Sequence, residues 1–414
     1  MKKILFITSF PEKNLTHGKK TVGIASYAKN TITAIQNAAK EQLHITILAE
    51  EIQGESPYKQ KNLSVKRIWK RDSLTVFPKI LKEILKNHKS EKTIVLEFEV
   101  AMFGNFLTLL PLPLFLLILR LLGKRIIFIS HQIIPDINEI APHINITRNS
   151  RTAYSVNFMI QIFYRTIFFL SDKIIVFEDA LKQKLAQFGN SKKIIVIPHG
   201  VEKFETIPTK TEARKRLNIK KNEFVVTSFG YLAWYKGSDW LAHSIQEVNK
   251  KKSAPVSLLL AGGPNLNHID KKYYQKYLAR ILNTTQSENI TVTGFIPQKD
   301  ISLYYQASDV IIFPYRAFMS SSGPLSLAFS FKKPFLISKH LAPILKQDDV
   351  KNALKEVKLS EERIIFTDTE SLSKKITAIK NTKLKEKITT LSTILAKKRS
   401  WEIIGQRYYE ELTA

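Results

Sequence analysis

The feature that most constrains this chain is a regular alternation of short apolar runs with helix-patterned stretches, which begins at its first residues. ILFITSF (4–10) is followed by a helical stretch from about Ile24 to Ala39, then by HITILAE (44–50), TIVLEF (93–98), RIIFIS (125–130), DKIIVFE (172–178) and KIIVIPHG (193–200). Strand, helix, strand in succession is the pattern of a parallel sheet with helical crossovers. After the polar stretch EKFETIPTKTEARKRLN (202–218) the pattern restarts with FVVTSFG (224–230), a helix from Ser238 to about Lys250, and VSLLLAGG (256–263). A helix to about Leu282, ITVTGFI (290–296), VIIFPY (310–315) and FLIS (335–338) complete it. Two tandem α/β domains are expected, residues 1–202 and 203–395, with a tail at 396–414 carrying Trp401, Tyr408 and Tyr409 that packs back on the first. At 414 residues each half can bury its own core. Ligands of such sheets sit beyond the carboxyl ends of the strands, so the cleft between the domains is the expected site.

Composition narrows the chemistry. The chain has no cysteine, which removes disulfide frameworks, thiolate metal sites and thiol nucleophiles together. MKKILFITSF runs into Pro11, Glu12 and Lys13 without a small-residue cleavage site, so it reads as a strand and predicts a cytoplasmic protein. The net charge of +28 is either a solvated lysine-rich surface or a preference for anionic partners: phosphorylated ligands, an anionic membrane surface or nucleic acid. Its lysines are dispersed, with small clusters at Lys19-Lys20, Lys192-Lys193 and Lys250-Lys251-Lys252 and no interleaved aromatic ladder, which argues against nucleic acid. The most apolar segment, FLTLLPLPLFLLILRLLGKR (106–125), contains Pro111, Pro113 and Arg120, and its apolar stretch falls short of the ~20 residues that span a bilayer. It is either a buried crossover helix or a helix that dips into a membrane interface.

Two loops carry the chemistry. FGYLAWYKGSDWL (229–241) leaves a strand at Gly230, places Lys236 in the turn and enters a helix near Ser238. An ammonium and a helix N-terminus that converge in this way suit a diphosphate, although a loop lysine can equally be solvated. In ASDVIIFPYRAFMSSSGPLSLAFSFKKPFLIS (307–338) a strand ends at Tyr315, and Ser320, Ser321, Ser322 and Gly323 open the next helix. These residues offer donors to anionic oxygens or simply cap the helix. Arg316 stands beside this loop and is a further candidate for binding phosphate.

With these segments in this order the chain resembles the family 4, or group 1, retaining glycosyltransferases of the GT-B fold over nearly its whole length. GIASYAKN (23–30), LEFEVAMFG (96–104), ISHQ (129–132), KIIVIPHGV (193–201), LLLAGG (258–263), TGFIP (293–297) and SDVIIFPY (308–315) are similar to the family's ordered series. The resemblance implies two Rossmann-like domains facing each other across a cleft. It also implies a UDP- or GDP-linked sugar as donor, a glycan or lipid-linked acceptor, retention of configuration, and action at the inner membrane face. No cofactor and no metal are expected, and the sequence has no Asp-X-Asp segment. Lys236 matches the family's phosphate-binding lysine, His131 its histidine near the reacting sugar, and Gly23 the backbone of its first-domain loop. Gly230, Tyr231, the 320–323 loop and Leu327 complete the expected donor site. His199, before Gly200, reads as a hinge packing residue.

The departures point the other way. Many family members have Arg after the strand-end Gly, where this chain has Tyr231, and two Glu eight residues apart, where it has Met319 and Leu327. Lys332 replaces the usual Gly ahead of Pro334. A non-catalytic, glycosyltransferase-like partner subunit is therefore the alternative.

Overall fold

Long apolar runs such as ILFI in the first strand suit strands covered on both faces, and that is how the chain folds. The computed structural model describes residues 1–414 except 18–20, 22, 251–254, 266–268, 285–288 and 381, so Lys19, Lys20, Lys251 and Lys252 lie outside the described residues. The first domain runs β1 (Lys2–Ile7), α1 (Ile24–Ala39), β2 (Leu43–Glu50), β3 (Tyr58–Gln60), β4 (Leu63–Trp69), α2 (Val76–Asn87), β5 (Thr93–Phe98) and α3 (Val100–Phe103). It continues with α4 (Leu112–Leu121), β6 (Arg125–Ser130), α5 (Arg151–Leu170), β7 (Lys173–Val176), α6 (Asp179–Ala186) and β8 (Ile194–Val196). The strands form one sheet in the order β3-β4-β2-β1-β5-β6-β7-β8, parallel except for the β3–β4 pair.

The second domain comprises α7 (Lys210–Arg216), β9 (Phe224–Phe229), α8 (Ser238–Lys250), β10 (Val256–Ala261), α9 (Lys272–Thr284), β11 (Ile290–Val292), α10 (Ile301–Ala307) and β12 (Val310–Phe313). Then follow α11 (Gly323–Ser330), β13 (Phe335–Ser338), α12 (Asp348–Glu356), β14 (Ile365–Phe366), α13 (Thr369–Ile379) and α14 (Thr382–Lys398). Its sheet is parallel throughout, in the order β11-β10-β9-β12-β13-β14. Strand order reverses between β9 and β12, and in the first sheet between β1 and β5. A crevice opens at each reversal, because the flanking helices leave on opposite faces.

The chain crosses back at Arg399 and Ser400, beside its outward crossing. The Val201 amide donates to the Arg399 carbonyl at 2.7 Å, and Val201 bridges Ser400. The last helix, α15 (Trp401–Thr413), then lies on α1, with Gly405 against the Ala34 backbone and the Tyr408 and Tyr27 hydroxyls 2.6 Å apart. Lys2 Nζ and both Arg125 Nη atoms donate to the last-turn carbonyls of α15, at 2.7, 3.1 and 3.0 Å. Cations are favoured there by the helix dipole.

Some elements differ from the sequence reading. LSVKRIW forms β4 although Lys66 and Arg67 interrupt its apolar pattern, because Arg67 is buried and donates to the Phe10, Pro11 and Glu50 carbonyls. ITVTGFI is a strand only over Ile290–Val292, since Gly294 turns the chain at φ 74°. The 106–125 segment is not one helix: a 3-10 turn at Phe106–Leu109 precedes α4, which begins after Pro111 and ends before Gly123 at φ 69°. Nor is α4 a fully buried crossover, since Leu112, Phe115, Leu116 and Leu119 face the core while Leu114, Leu117 and Leu121 are exposed. Among the described residues no helix is long and apolar enough to cross a membrane.

Candidate functional site

The two crevices face each other and merge into a cleft of about 480 Å³. Its lining brings together Gly23, His131, Gly230, Tyr231, Lys236, Ser320, Ser321, Ser322, Gly323 and Leu327, all candidates from the sequence.

Lys236 is at its floor. A 3-10 turn (Trp234–Lys236) follows β9, and Gly237, at φ 72°, turns the chain into α8. Gly237 has to be glycine, because a Cβ there would overlap the Pro314 carbonyl oxygen as well as strain the backbone. Gly230, at φ 115°, leaves room for the ammonium: a Cβ there would lie 2.5 Å from Lys236 Nζ. Lys236 has no hydrogen-bonding or ion-pair partner among the described residues. Burial lowers its pKa from 10.5 to about 8, opposed by the charge of Glu99. A half-buried, unpaired cation beside the start of α8 is an anion site by its electrostatics.

The second loop contributes less than three serines suggest. Ser322 caps α11, its Oγ accepting from the Leu325 amide at 3.3 Å and lying 2.9 Å from the Tyr315 hydroxyl. Ser321 Oγ donates to Glu178 at 3.2 Å. The loop is tied to the first domain, with the Ile133 amide donating to the Met319 carbonyl at 2.7 Å and Lys184 Nζ to the Phe318 carbonyl at 2.9 Å.

Arg316 is the candidate that the structure places elsewhere. It does not line the cleft; its guanidinium donates two bonds to Asp239, at 2.8 and 2.9 Å, and one to the Trp234 carbonyl at 3.1 Å. A carboxylate in the first turn of α8 has taken the fork that the sequence reading assigned to phosphate. Arg316 thus braces the Lys236 turn from behind.

On the opposite wall, His131 follows β6, with Nε2 3.3 Å from Glu97, which also accepts from Thr8 Oγ1 at 3.0 Å. The imidazole packs edge-on against Tyr27 at 4.9 Å and Phe177 at 5.0 Å, which fixes its plane. Glu99, just past β5, lines the cleft and accepts from Gln132 Nε2 at 3.0 Å. Burial pushes its carboxyl up, while His131, Arg71 and Lys236 hold it down. Gly23 caps α1 at the cleft edge, where a Cβ would meet open space. His199 is half-buried and desolvation lowers its pKa to about 4, so at neutral pH it is an uncharged ring. Its Nδ1 is 2.7 Å from the Gly200 carbonyl and must be the donor.

The sequence reading missed Glu97, Glu99 and the cluster behind the serine loop. Fully buried Glu178 has its carboxyl raised by burial to about 7, although Arg399 is 3.5 Å away. Arg399, equally buried, pairs with Asp349 at 2.6 and 3.0 Å. The available signal was a carboxylate at the carboxyl end of an apolar run, as in TIVLEFE and IIVFE. Among the described residues no group of three His, Asp or Glu is placed to hold a metal ion.

Comparison with known proteins agrees with this architecture. Residues 209–387 match the family model described as "Glycosyl transferases group 1". Alpha-monoglucosyldiacylglycerol synthase of Acholeplasma laidlawii is 24% identical over 203 residues, which span 48% of this chain and 46% of that relative, about half of each. Sucrose-phosphate synthase from Thermosynechococcus elongatus superposes with a TM-score of 0.73 at 14% identity, covering 100% of this chain and 99% of that one. Anabaena HepE in complex with UDP-glucose gives 0.66 at 17%, covering 100% of both. Over residues 209–387 the chain is therefore similar to the group 1 glycosyl transferases, and over its whole length it has the two-domain GT-B fold.

Proposed function

We propose that this chain is a glycosyltransferase that takes a sugar from a nucleoside diphosphate donor, UDP-linked by preference, to a glycan or lipid-linked hydroxyl. The observation that carries this reading is the unpaired Lys236 ammonium on the cleft floor, facing the Ser320–Gly323 loop. The UDP-glucose bound by Anabaena HepE supports the choice of nucleotide. As the bond from the anomeric carbon to the diphosphate breaks, negative charge grows on the leaving oxygens, where a desolvated cation acts most strongly. The acceptor oxygen bonds to that carbon on the same face, and its proton passes to the departing diphosphate, giving retention. Lys236 and the helix start compensate the charge without a metal, and His131, aligned by Glu97, positions the sugar.

One observation favours a second reading, a nucleotide-binding subunit without turnover. Met319 is buried in an apolar cluster with Ile137 and Ile140, and Leu327 lines the cleft without a carboxylate.

Titration calorimetry with UDP and GDP, with and without EDTA, tests the donor site, and UDP release from UDP-sugars in the presence of lipid and glycan acceptors tests turnover. Binding that Lys236→Ala removes, with UDP release, supports the transferase. The same binding with no release from any UDP-sugar supports the second reading, and no binding of either nucleotide refutes both.

A further inference from the structure

The end of the second domain away from the cleft holds a concentration of cations that the donor site does not use. Asp309, 6% exposed at the entrance to β12, accepts from Arg214 Nη2 and from the Val225 amide, both at 2.8 Å. Its other oxygen accepts from Lys210 Nζ at 2.5 Å and has Lys385 Nζ at 3.6 Å. Lys333, in the turn between α11 and β13, is 9% exposed and donates to the Gln306 carbonyl at 3.1 Å. The cluster stands at the amino ends of β9, β12 and β13, about 20 Å from the cleft by the length of the six-residue β9, and none of its members lines the cleft.

Charge is out of balance there. Lysines on a surface relieve their repulsion by turning to water, but Arg214 is held inside by the Ala307, Lys220 and Lys221 carbonyls, and Lys333 by that of Gln306. With Lys210 and Lys385, four cations converge on one carboxylate. Lys385 is in the first turn of α14, which has no acidic residue, so the positive end of the helix dipole adds to their charge. Burial, and then the charge of Lys210, lowers the Lys333 ammonium to about 7; Lys385 and Arg214 act in the same sense, and Asp309 opposes them. Carbonyl oxygens satisfy the donors but carry no net charge, so what the cluster lacks is an anion. Lys210 and Lys385, 40% and 37% exposed, leave it open to solvent on their side.

We propose that Lys210, Lys333 and Lys385 form a second anion site, separate from the cleft, which takes a phosphate ion or the phosphoryl group of a small phosphorylated solute. A tetrahedral dianion suits it because the three ammonium groups come from three different elements, α7, the α11–β13 turn and α14, and each can donate to a different oxygen. The bound anion supplies the charge that the single carboxylate of Asp309 leaves unmet, and it keeps Lys333 protonated. The site does not depend on the cleft being catalytic, and it is measured without donor or acceptor.

Sulfate is the probe, since it does not titrate near neutral pH, and the full chain carrying Lys236→Met is the background, since it lacks the cation of the cleft. Calorimetric titration at pH 8, with chloride holding the ionic strength constant and in two buffers of different ionisation heat, is expected to show one sulfate per chain. It should also show uptake of up to about 0.9 proton, because a group with a pKa of about 7 is mostly neutral at that pH and becomes charged beside the anion. Lys333→Met should abolish the proton uptake. Lys385→Gln, at a half-exposed position that does not disturb the core, should weaken sulfate at least about tenfold. Lys385→Glu builds the negative charge into the chain and should remove sulfate binding while melting no lower than its parent in chloride. Competition then separates the sources of the ligand: displacement of sulfate by inorganic phosphate alone assigns the site to the free ion, and displacement by glycerol phosphate as well extends it to phosphorylated solutes. Displacement by neither overturns the proposal. So does the absence of saturable sulfate binding, binding without proton uptake, or binding that Lys333→Met and Lys385→Gln leave unchanged.

Discussion

Replacing Lys236 with Met is expected to make the protein more stable and a worse nucleotide binder at once. A fall in the folded-state pKa from 10.5 to about 8 leaves the group mostly charged at pH 7, in surroundings that disfavour that charge. At about 1.4 kcal/mol per pH unit the disfavour amounts to about 3 kcal/mol. Between pH 8 and 10.5 the unfolded chain holds this proton and the folded one has lost it, so the wild type gains stability as pH rises through that window. Lys236→Met, which keeps the aliphatic stem, should unfold in urea about 1–3 kcal/mol harder at pH 7, and its advantage should vanish above pH 10.5. UDP affinity should fall about ten- to a hundredfold, the loss of a charge-assisted bond in a desolvated site. In the wild type, affinity should decline above pH 8 as the ammonium loses its proton, while the variant stays flat there. A variant that is less stable, or that binds UDP as the wild type does, would refute the assignment of Lys236 as a cation held ready for an anion.

Four further substitutions separate positioning from binding. Glu178 has its folded pKa raised from 4.5 to about 7, so stability from this group is present below 4.5 and is lost as pH rises through 7, to the extent of about 3 kcal/mol. Glu178→Gln should therefore gain on the wild type in urea unfolding as pH rises from 4.5 to 8; a constant difference across that range counts against the buried carboxyl. Gly237→Ala combines a positive φ with overlap on Pro314 and should cost at least about 2 kcal/mol, whereas Gly23→Ala, facing open space, should stay within about 0.5 kcal/mol. Equal thermal midpoints for the two would contradict the geometry. Arg316→Gln breaks the fork to Asp239 and should lower stability by about 1 kcal/mol with UDP affinity within about twofold. A loss of affinity as large as that of Lys236→Met would return Arg316 to the site.

The fold was legible because its strands are buried on both faces: runs such as VVTSF and VIIF stand out against helices patterned every three to four residues. Strand β4 was hidden because Arg67 neutralises its own burial through three carbonyls, and no local pattern shows which carbonyls a distant segment leaves open. Within the site, Lys236 and the glycines were readable from the ordered series of motifs and not from spacing alone, on which a loop lysine can equally be solvated. Arg316 misled because its partner, Asp239, lies in the first turn of α8 and the two meet only when β9 and β12 pair. The serine run misled in degree: Ser322 and Ser321 are occupied by Leu325 and Glu178, the first a local cap and the second a contact across domains.

The missing carboxylate pair bears on the second wall of the cleft more than on the first. A glutamate at position 319 would be buried among Ile137, Ile140 and Ala317, where an ionised group costs several kcal/mol unless paired. The loop that would present it is held by Ile133 and Lys184 of the first domain, so it cannot turn that residue into the cleft without breaking both bonds. The carboxylates that do reach this region, Glu97 and Glu99, come from the other domain, at the carboxyl end of β5. One of them steadies His131, and the other lies close enough to Lys236 to hold up its pKa. Negative charge on the first domain thus faces positive charge on the second across the cleft, and a diphosphate bound there would compete with Glu99 for Lys236. Glu99→Gln is then expected to lower the pKa of Lys236 in the free protein and to shift the decline of UDP affinity to lower pH, which calorimetry across pH 6 to 9 would detect; an unmoved profile would show that the two walls do not communicate.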